Sequence, residues 1–215
     1  MCLLIVSKGS PIPWAVVEEA AHRNKDGFGL SYFDKDKGKM HIFTTLKLKE
    51  FKRALRAVPE KTVHMAHLRF GTIGKLDKQN CHPFRLNDYM AFAHNGHVAG
   101  MGDKKESDSR QIAEVLAHFL GPNAVSLDKF QTKMLQGLAG DRNKFAVASP
   151  TGITLFNSHL GKWDEDKEIW YSDKSYCPDD QPMVIEAQSN GYWNLGGQVV
   201  YNPNYRQLNF LNKER

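Results

Sequence analysis

The sequence predicts an α+β layered fold built on antiparallel sheets, and three observations predict it. Short apolar runs of strand length come in pairs joined by turn residues, and amphipathic segments of helix length stand between those pairs. No repeat, low-complexity tract or linker divides the chain, so a single domain spanning 1–215 is expected.

The elements follow in order. Leu3–Val6 is apolar throughout and reads as a buried strand opening at the N-terminus. Pro11 and Pro13 punctuate the chain, and Trp14–His22 then has a helical pattern. Asp26-Gly27-Phe28-Gly29 is a turn that feeds a strand, Leu30–Phe33, and the charged loop Asp34–Lys39 returns it as Met40–Thr44. Leu48–Val58 is a basic amphipathic helix; Val63–Phe70 and Tyr89–Ala93 are strand-like. Ser107-Asp108 caps a helix over Ser109–Leu120, which Gly121-Pro122 ends, and Leu127–Leu138 forms another, stopped at Gly140. Lys144–Ala148 and Ile153–Phe156 form a hairpin around Ser-Pro-Thr-Gly, and Ile169–Tyr171 begins a further strand. The glycine-punctuated tail after Pro178 accommodates only short strands.

Bulk properties narrow the function. With 41% hydrophobic, 25% charged and 11% aromatic residues in 215, the chain has material for one well-packed core, which excludes wholesale disorder. The net charge of +5 comes from lysines and arginines spread among acids, without a basic block, so it reads as a solvated surface and not a nucleic-acid footprint. Leu3–Val6 is too short for a signal-peptide core and no basic segment precedes it, and nothing is long enough to span a membrane; a cytoplasmic protein is expected. Three cysteines, an odd number, fit a reducing compartment, and their spacing (2, 81, 177) matches no zinc motif. No metal or cofactor is expected.

Four positions carry candidate chemistry. Cys2 stands directly behind the initiator Met1. Removal of Met1 would leave a cysteine with both a thiol and a free α-amine, which titrates near pH ~7.7–8.0 and can take the thiol proton. His94-Asn95-Gly96 follows an apolar strand, placing a side-chain amide and an unencumbered N–H at a sheet edge, two donors of the kind an oxyanion needs; the same Asn-Gly also reads as a hairpin turn. Arg69 lies in an apolar strand-like run and must reach an anion or solvent. Asp108, at a helix start, reads either as a cap or as a partner for a substrate ammonium.

Taken in order, these motifs resemble the class II glutamine amidotransferases of the N-terminal-nucleophile hydrolase superfamily, in a compact form like those of bacteria and phages. The resemblance rests on Met1-Cys2, Asp26-Gly27-Phe28-Gly29, the strand motif His67–Gly74, Asn80-Cys81-His82-Pro83-Phe84, Ala93–Gly96 and Ser107-Asp108-Ser109. It covers roughly residues 1–175, including Ile169–Asp173, and leaves 176–215 as an unassigned C-terminal extension.

The resemblance implies a four-layer αββα sandwich, two antiparallel sheets between helical layers. It implies Cys2 as nucleophile with its own α-amine as base, Asn95 and Gly96 N–H as the oxyanion hole, and Arg69 and Asp108 on the α-carboxylate and α-ammonium of glutamine. Hydrolysis of the side-chain amide through a Cys2 thioester would give glutamate and ammonia, the latter for a separate acceptor protein. His82 and His94 are expected to be structural or to support the site from behind, and Cys81 and Cys177 to be ordinary thiols. The sequence departs from the family at Leu3, where glycine is usual, and at Ile73. Another γ-glutamyl amide as substrate, or an idle glutamine-sensing module, are the rival readings.

Overall fold

The computed structural model of the chain describes residues 2–176 and three short strands in the tail. It divides into two compact units, Met1–Pro178 and Asp179–Arg215.

The first unit holds ten strands and four helices. β1 (Leu3–Ser7), α1 (Trp14–Arg23), β2 (Phe28–Asp34), β3 (Lys39–Thr45), α2 (Leu48–Arg56) and β4 (His64–Leu68) come first. β5 (Phe84–Arg85), β6 (Ala91–Asn95), α3 (Asp108–Leu120), α4 (Lys129–Ala139), β7 (Lys144–Ser149), β8 (Gly152–Phe156), β9 (Lys162–Asp164) and β10 (Ile169–Tyr171) complete it. One sheet has the order β3-β2-β4-β1-β10-β9 and the other β5-β6-β7-β8, with every pairing antiparallel. In the second unit β11 (Glu186–Ala187), β12 (Tyr192–Leu195) and β13 (Gln198–Tyr201) form a small antiparallel sheet.

The layering follows from strand alternation. Successive side chains on a strand point to opposite faces. On β1, Leu3 and Ile5 join a core with Val16, Val17 and Ala20 of α1 and Phe51 of α2; Leu4 and Val6 join a different core. That second core is the seam between the sheets, where Leu4, Val6, Met65 and Trp170 of the larger sheet meet Ala91, Ala93, Ala146 and Ala148 of the smaller one. The outer face of the smaller sheet, with Phe92, Phe145, Val147 and Phe156, packs on Ile112 and Leu116 of α3 and Leu135 and Ala139 of α4. Three cores between four layers make the αββα sandwich that was expected.

Helix ends agree with local chemistry. Ser107, not Asp108, caps α3, its hydroxyl accepting the Arg110 N–H at 3.2 Å. Asp128 and Gln131 form a reciprocal capping box on α4. β5 and β9, two and three residues long, had no sequence signal of their own. β4 ends at Leu68, so Arg69 and Phe70 lie beyond the strand and not within it. The departure at Leu3 is absorbed by the fold: its side chain is fully buried against the helical layer, away from the inter-sheet seam.

The seam presents four alanines from one side, and these set how closely the sheets approach. Ala146→Leu should therefore overpack it and lower unfolding free energy by about 1–3 kcal/mol. Urea denaturation followed by tryptophan fluorescence measures this; an unchanged midpoint would show that the seam has room to spare.

Candidate active site

Continuing the alternation of β1 back by one residue puts Cys2 on the seam side, at the end of the inter-sheet layer. Its sulfur lies against the backbone of Phe70, accepting the N–H at 3.3 Å and approaching the carbonyl oxygen at 3.4 Å. Burial pushes the Cys2 thiol up from its ordinary value, opposed by the Phe70 N–H and by the charge of Arg69, while Asp108 adds to the rise. The proposed removal of Met1 lies outside the described residues.

Asn95 ends β6 on the same parity as Ala91 and Ala93, and so also enters the seam. Its side-chain Nδ2 donates to the Cys2 carbonyl oxygen at 2.8 Å and to Ser172 Oγ at 2.6 Å. Ser172 Oγ in turn accepts the Leu4 N–H at 2.9 Å, and the Ser172 N–H donates to the Leu4 carbonyl. The first and last strands of the unit are thus tied to the Asn95 amide. Ser172 was quoted in the Ile169–Asp173 stretch without a role, because a serine after a strand has no local signature of a contact 77 positions away.

Gly96 follows at φ +152, a conformation L side chains rarely adopt, and a Cβ there would collide with Asn143 Oδ1. That oxygen accepts the His97 N–H at 2.7 Å and meets His94 Nε2 at 2.9 Å. An amide oxygen only accepts, so His94 Nε2 carries its proton and Nδ1, 2.8 Å from Ser109 Oγ, takes one from the hydroxyl. His94 is therefore fully engaged in holding the Asn95–His97 turn.

Arg69 is buried, and its Nη1 and Nη2 donate to the Lys75 and Ile73 carbonyls at 3.0 and 2.8 Å. Among the described residues it forms no ion pair with a carboxylate. Asp108 is also buried; Oδ2 accepts the Val98 N–H at 2.9 Å and faces His97 Nδ1 at 3.4 Å, and Oδ1 accepts the Ser109 N–H at 2.7 Å.

Asn80, which the sequence pattern contained but did not explain, links the two charged positions. It donates to the Lys75 carbonyl that Arg69 also uses (3.2 Å) and to the Lys105 carbonyl (2.8 Å), and accepts the Ser107 N–H (2.8 Å) beside Asp108. Asp26 similarly braces the loop behind Phe70 by accepting the Gly71 N–H at 2.8 Å. Cys81 is a buried free thiol, raised to about 11 by burial; Cys177 falls outside the described residues. Among the described residues no group of three or more His, Cys, Asp or Glu is placed to hold a metal ion, and no helix is long and apolar enough to cross a membrane.

Comparisons with known proteins accord with this geometry. Residues 12–114, which contain Arg69, Asn95, Gly96 and Asp108 but not Cys2, match the family model for glutamine amidotransferases class-II. The chain is 30% identical over 108 residues to a glutamine–fructose-6-phosphate aminotransferase [isomerizing] of Idiomarina loihiensis, covering 46% of this chain and 18% of that protein. It is 29% identical over 104 residues to a probable glutamine amidotransferase of Saccharomyces cerevisiae, covering 45% and 29%. The chain thus spans less than a third of the length of these curated relatives. Among solved structures, a glutamine aminotransferase class-II domain protein from Silicibacter pomeroyi aligns at 17% identity with a TM-score of 0.45, over 79% of this chain and 87% of that one.

Beneath the site two more histidines stack, His67 on His82, with ring centroids 4.0 Å apart. His67 Nε2 is 3.1 Å from the His94 carbonyl, while His67 Nδ1 and both His82 nitrogens are buried with no hydrogen-bond partner. Burial drives both pKa values down, His67 to about 3 and His82 well below its ordinary value. Both are neutral in the folded protein, whereas the unfolded chain protonates them near pH ~6.5. Stability is therefore unaffected above that pH and is lost as pH falls below it, by about 1.4 kcal/mol per pH unit for each histidine. Urea midpoints at pH 7, 6 and 5 should fall accordingly, and His82→Phe should make the decline shallower. A decline of the same slope in His82→Phe would show that His82 takes no part in it.

Proposed function

This chain carries a class II glutamine amidotransferase domain, and from that premise we propose that it hydrolyses the side-chain amide of glutamine at Cys2, passing ammonia to an acceptor supplied by another chain. The observation that carries the site assignment is the meeting of Cys2 and Asn95 at one end of the inter-sheet seam, with a buried Arg69 that forms no ion pair with a carboxylate among the described residues.

In this reading the Cys2 thiolate attacks the amide carbon of glutamine, the C–N bond breaks and ammonia leaves with a proton. Water then releases glutamate from the γ-glutamyl thioester. Met1 is removed first, so that the Cys2 α-amine takes the thiol proton. A half-buried thiol with a raised pKa holds that proton at neutral pH, which makes a base within reach necessary.

The developing oxyanion is met by Asn95 Nδ2 and the Gly96 N–H. Nδ2 would exchange one of its present acceptors, the Cys2 carbonyl or Ser172 Oγ, for the substrate oxygen. Arg69 spends two of its five N–H groups on loop carbonyls, which leaves donors for a substrate α-carboxylate and neutralises a cation otherwise costly to bury. Asp108 would receive the α-ammonium. The names of the longer relatives describe amino-group transfer, and this supports an acceptor for the ammonia.

Two experiments test the assignment. The glutamine-like electrophile 6-diazo-5-oxonorleucine should label Cys2 and abolish glutaminase activity, and Cys2→Ala should be inactive. Labelling of Cys81 or Cys177 with Cys2 untouched would overturn the nucleophile. In steady-state kinetics, Asn95→Ala should lower kcat by about 10²–10³, whereas Arg69→Gln and Asp108→Asn should chiefly raise KM for glutamine. An Asn95→Ala enzyme with intact kcat would remove the oxyanion role. Preference for a different γ-glutamyl amide over glutamine would redirect the substrate.

A further inference from the structure

β1 runs from Cys2 toward a concave feature at its opposite end, a cavity of about 580 Å³. That volume lies within the range of small-molecule sites, about 300–1,000 Å³. Its apolar wall is made by Ile12 and Trp14 ahead of and at the start of α1, and by Leu55 and Val58 at the close of α2. Three cations, Lys52, Arg56 and Lys61, line it against one carboxylate, Glu60.

None of the three cations forms an ion pair with a carboxylate among the described residues. Lys52 Nζ instead sits 4.1 Å above the Trp14 ring centroid, which fixes a cation on the apolar wall. His64 also lines the cavity, but burial lowers its pKa and it adds no charge at neutral pH.

The rim is pre-formed. Lys61 holds φ +57, a left-handed conformation unusual for a side chain, and Gly9 at φ +135 packs backbone to backbone against it. A Cβ at position 9 would lie 3.3 Å from Lys61 Cα, so the two turns are in direct contact. An apolar wall, a cationic margin and a fixed rim together describe a site for a molecule with a flat apolar body and a negative head.

We propose that this cavity is a second binding site, for a small organic anion with a planar apolar body. The intervening strand β1, five residues at ~3.3 Å each, sets it roughly 17 Å from Cys2. A ligand there does not compete with a substrate at the thiol.

Fluorescence titration with 8-anilinonaphthalene-1-sulfonate tests this, alongside the uncharged N-phenyl-1-naphthylamine. The full chain should bind the sulfonate saturably at one site, and equally well after Cys2 is blocked with 6-diazo-5-oxonorleucine. The triple variant K52Q/R56Q/K61Q, with its thermal midpoint checked against the parent, should bind the sulfonate at least about tenfold more weakly, a loss of ~1.4 kcal/mol or more. Its affinity for the neutral dye should stay within about twofold, because the apolar wall is untouched. Equal sulfonate affinity in the triple variant, the absence of saturable binding, or loss of binding when Cys2 is blocked would each overturn the proposal.

Discussion

The constraint on which the rest depends is that β1 is buried on both faces. It lies between β4 and β10 in the larger sheet, with helices on one side and the second sheet on the other. With a side-chain period of two, a shift of one residue would exchange Leu3 and Ile5 with Leu4 and Val6, and each set fits only its own core. The register is thereby fixed at the very start of the chain, and Cys2 with it. An N-terminal residue would ordinarily fray; here the first strand is a central one, and the sulfur is located by the sheet. The same alternation brings Asn95 of β6 and Ser172, just past β10, to the same end of the seam.

What the strands bring near, amide side chains lock. Asn95 joins Cys2 to Ser172, Asn80 joins the loop after Arg69 to the start of α3, and Asn143 holds His94 and His97. Asn157 repeats the device lower down, donating to the Gly140 and Asn143 carbonyls. Each presents a donor pair and an acceptor in one plane, so one buried side chain can satisfy several loop backbone groups that no sheet or helix would reach. The loops around the site are ordered by these contacts more than by apolar packing, since Phe70 and Leu76 on the same stretch stay largely exposed.

This division explains what the sequence disclosed. All four helices and the strands of both sheets except β5 and β9 were legible because apolar period and punctuation are local properties, and these elements differ from expectation only at their ends. Arg69 was placed inside a strand because Val63–Phe70 is uniformly strand-like. The chain leaves the ladder after Leu68, where the backbone of Phe70 turns to the Cys2 sulfur. Asp108 was read as a cap candidate, yet Ser107 one residue earlier takes that role and leaves the carboxylate to the Val98 N–H. Asn80, Asn143 and Ser172 were missed as positioning groups because asparagine and serine in loops look like turn formers. Their partners lie 27, 46 and 77 positions away, and no local pattern encodes such distances.

The electrostatics at Cys2 also bear on how the proposed reaction would be organised. The N-terminal charge and Arg69 draw the thiol pKa down and Asp108 raises it, but burial outweighs them all. A glutamine zwitterion bound as proposed would place its carboxylate on one and its ammonium on the other, screening both from the sulfur. The balance at the thiol would then stay nearly the same on binding, still set by desolvation and the Phe70 N–H. His94 is saturated by Ser109 and Asn143. The buried histidines His67 and His82 are held neutral, with His67 tied to the His94 carbonyl rather than to the sulfur. In the proposed mechanism the thiol proton goes instead to the α-amine that Cys2 would gain on removal of Met1. Processing of the N-terminus would then be the step that completes the proposed site.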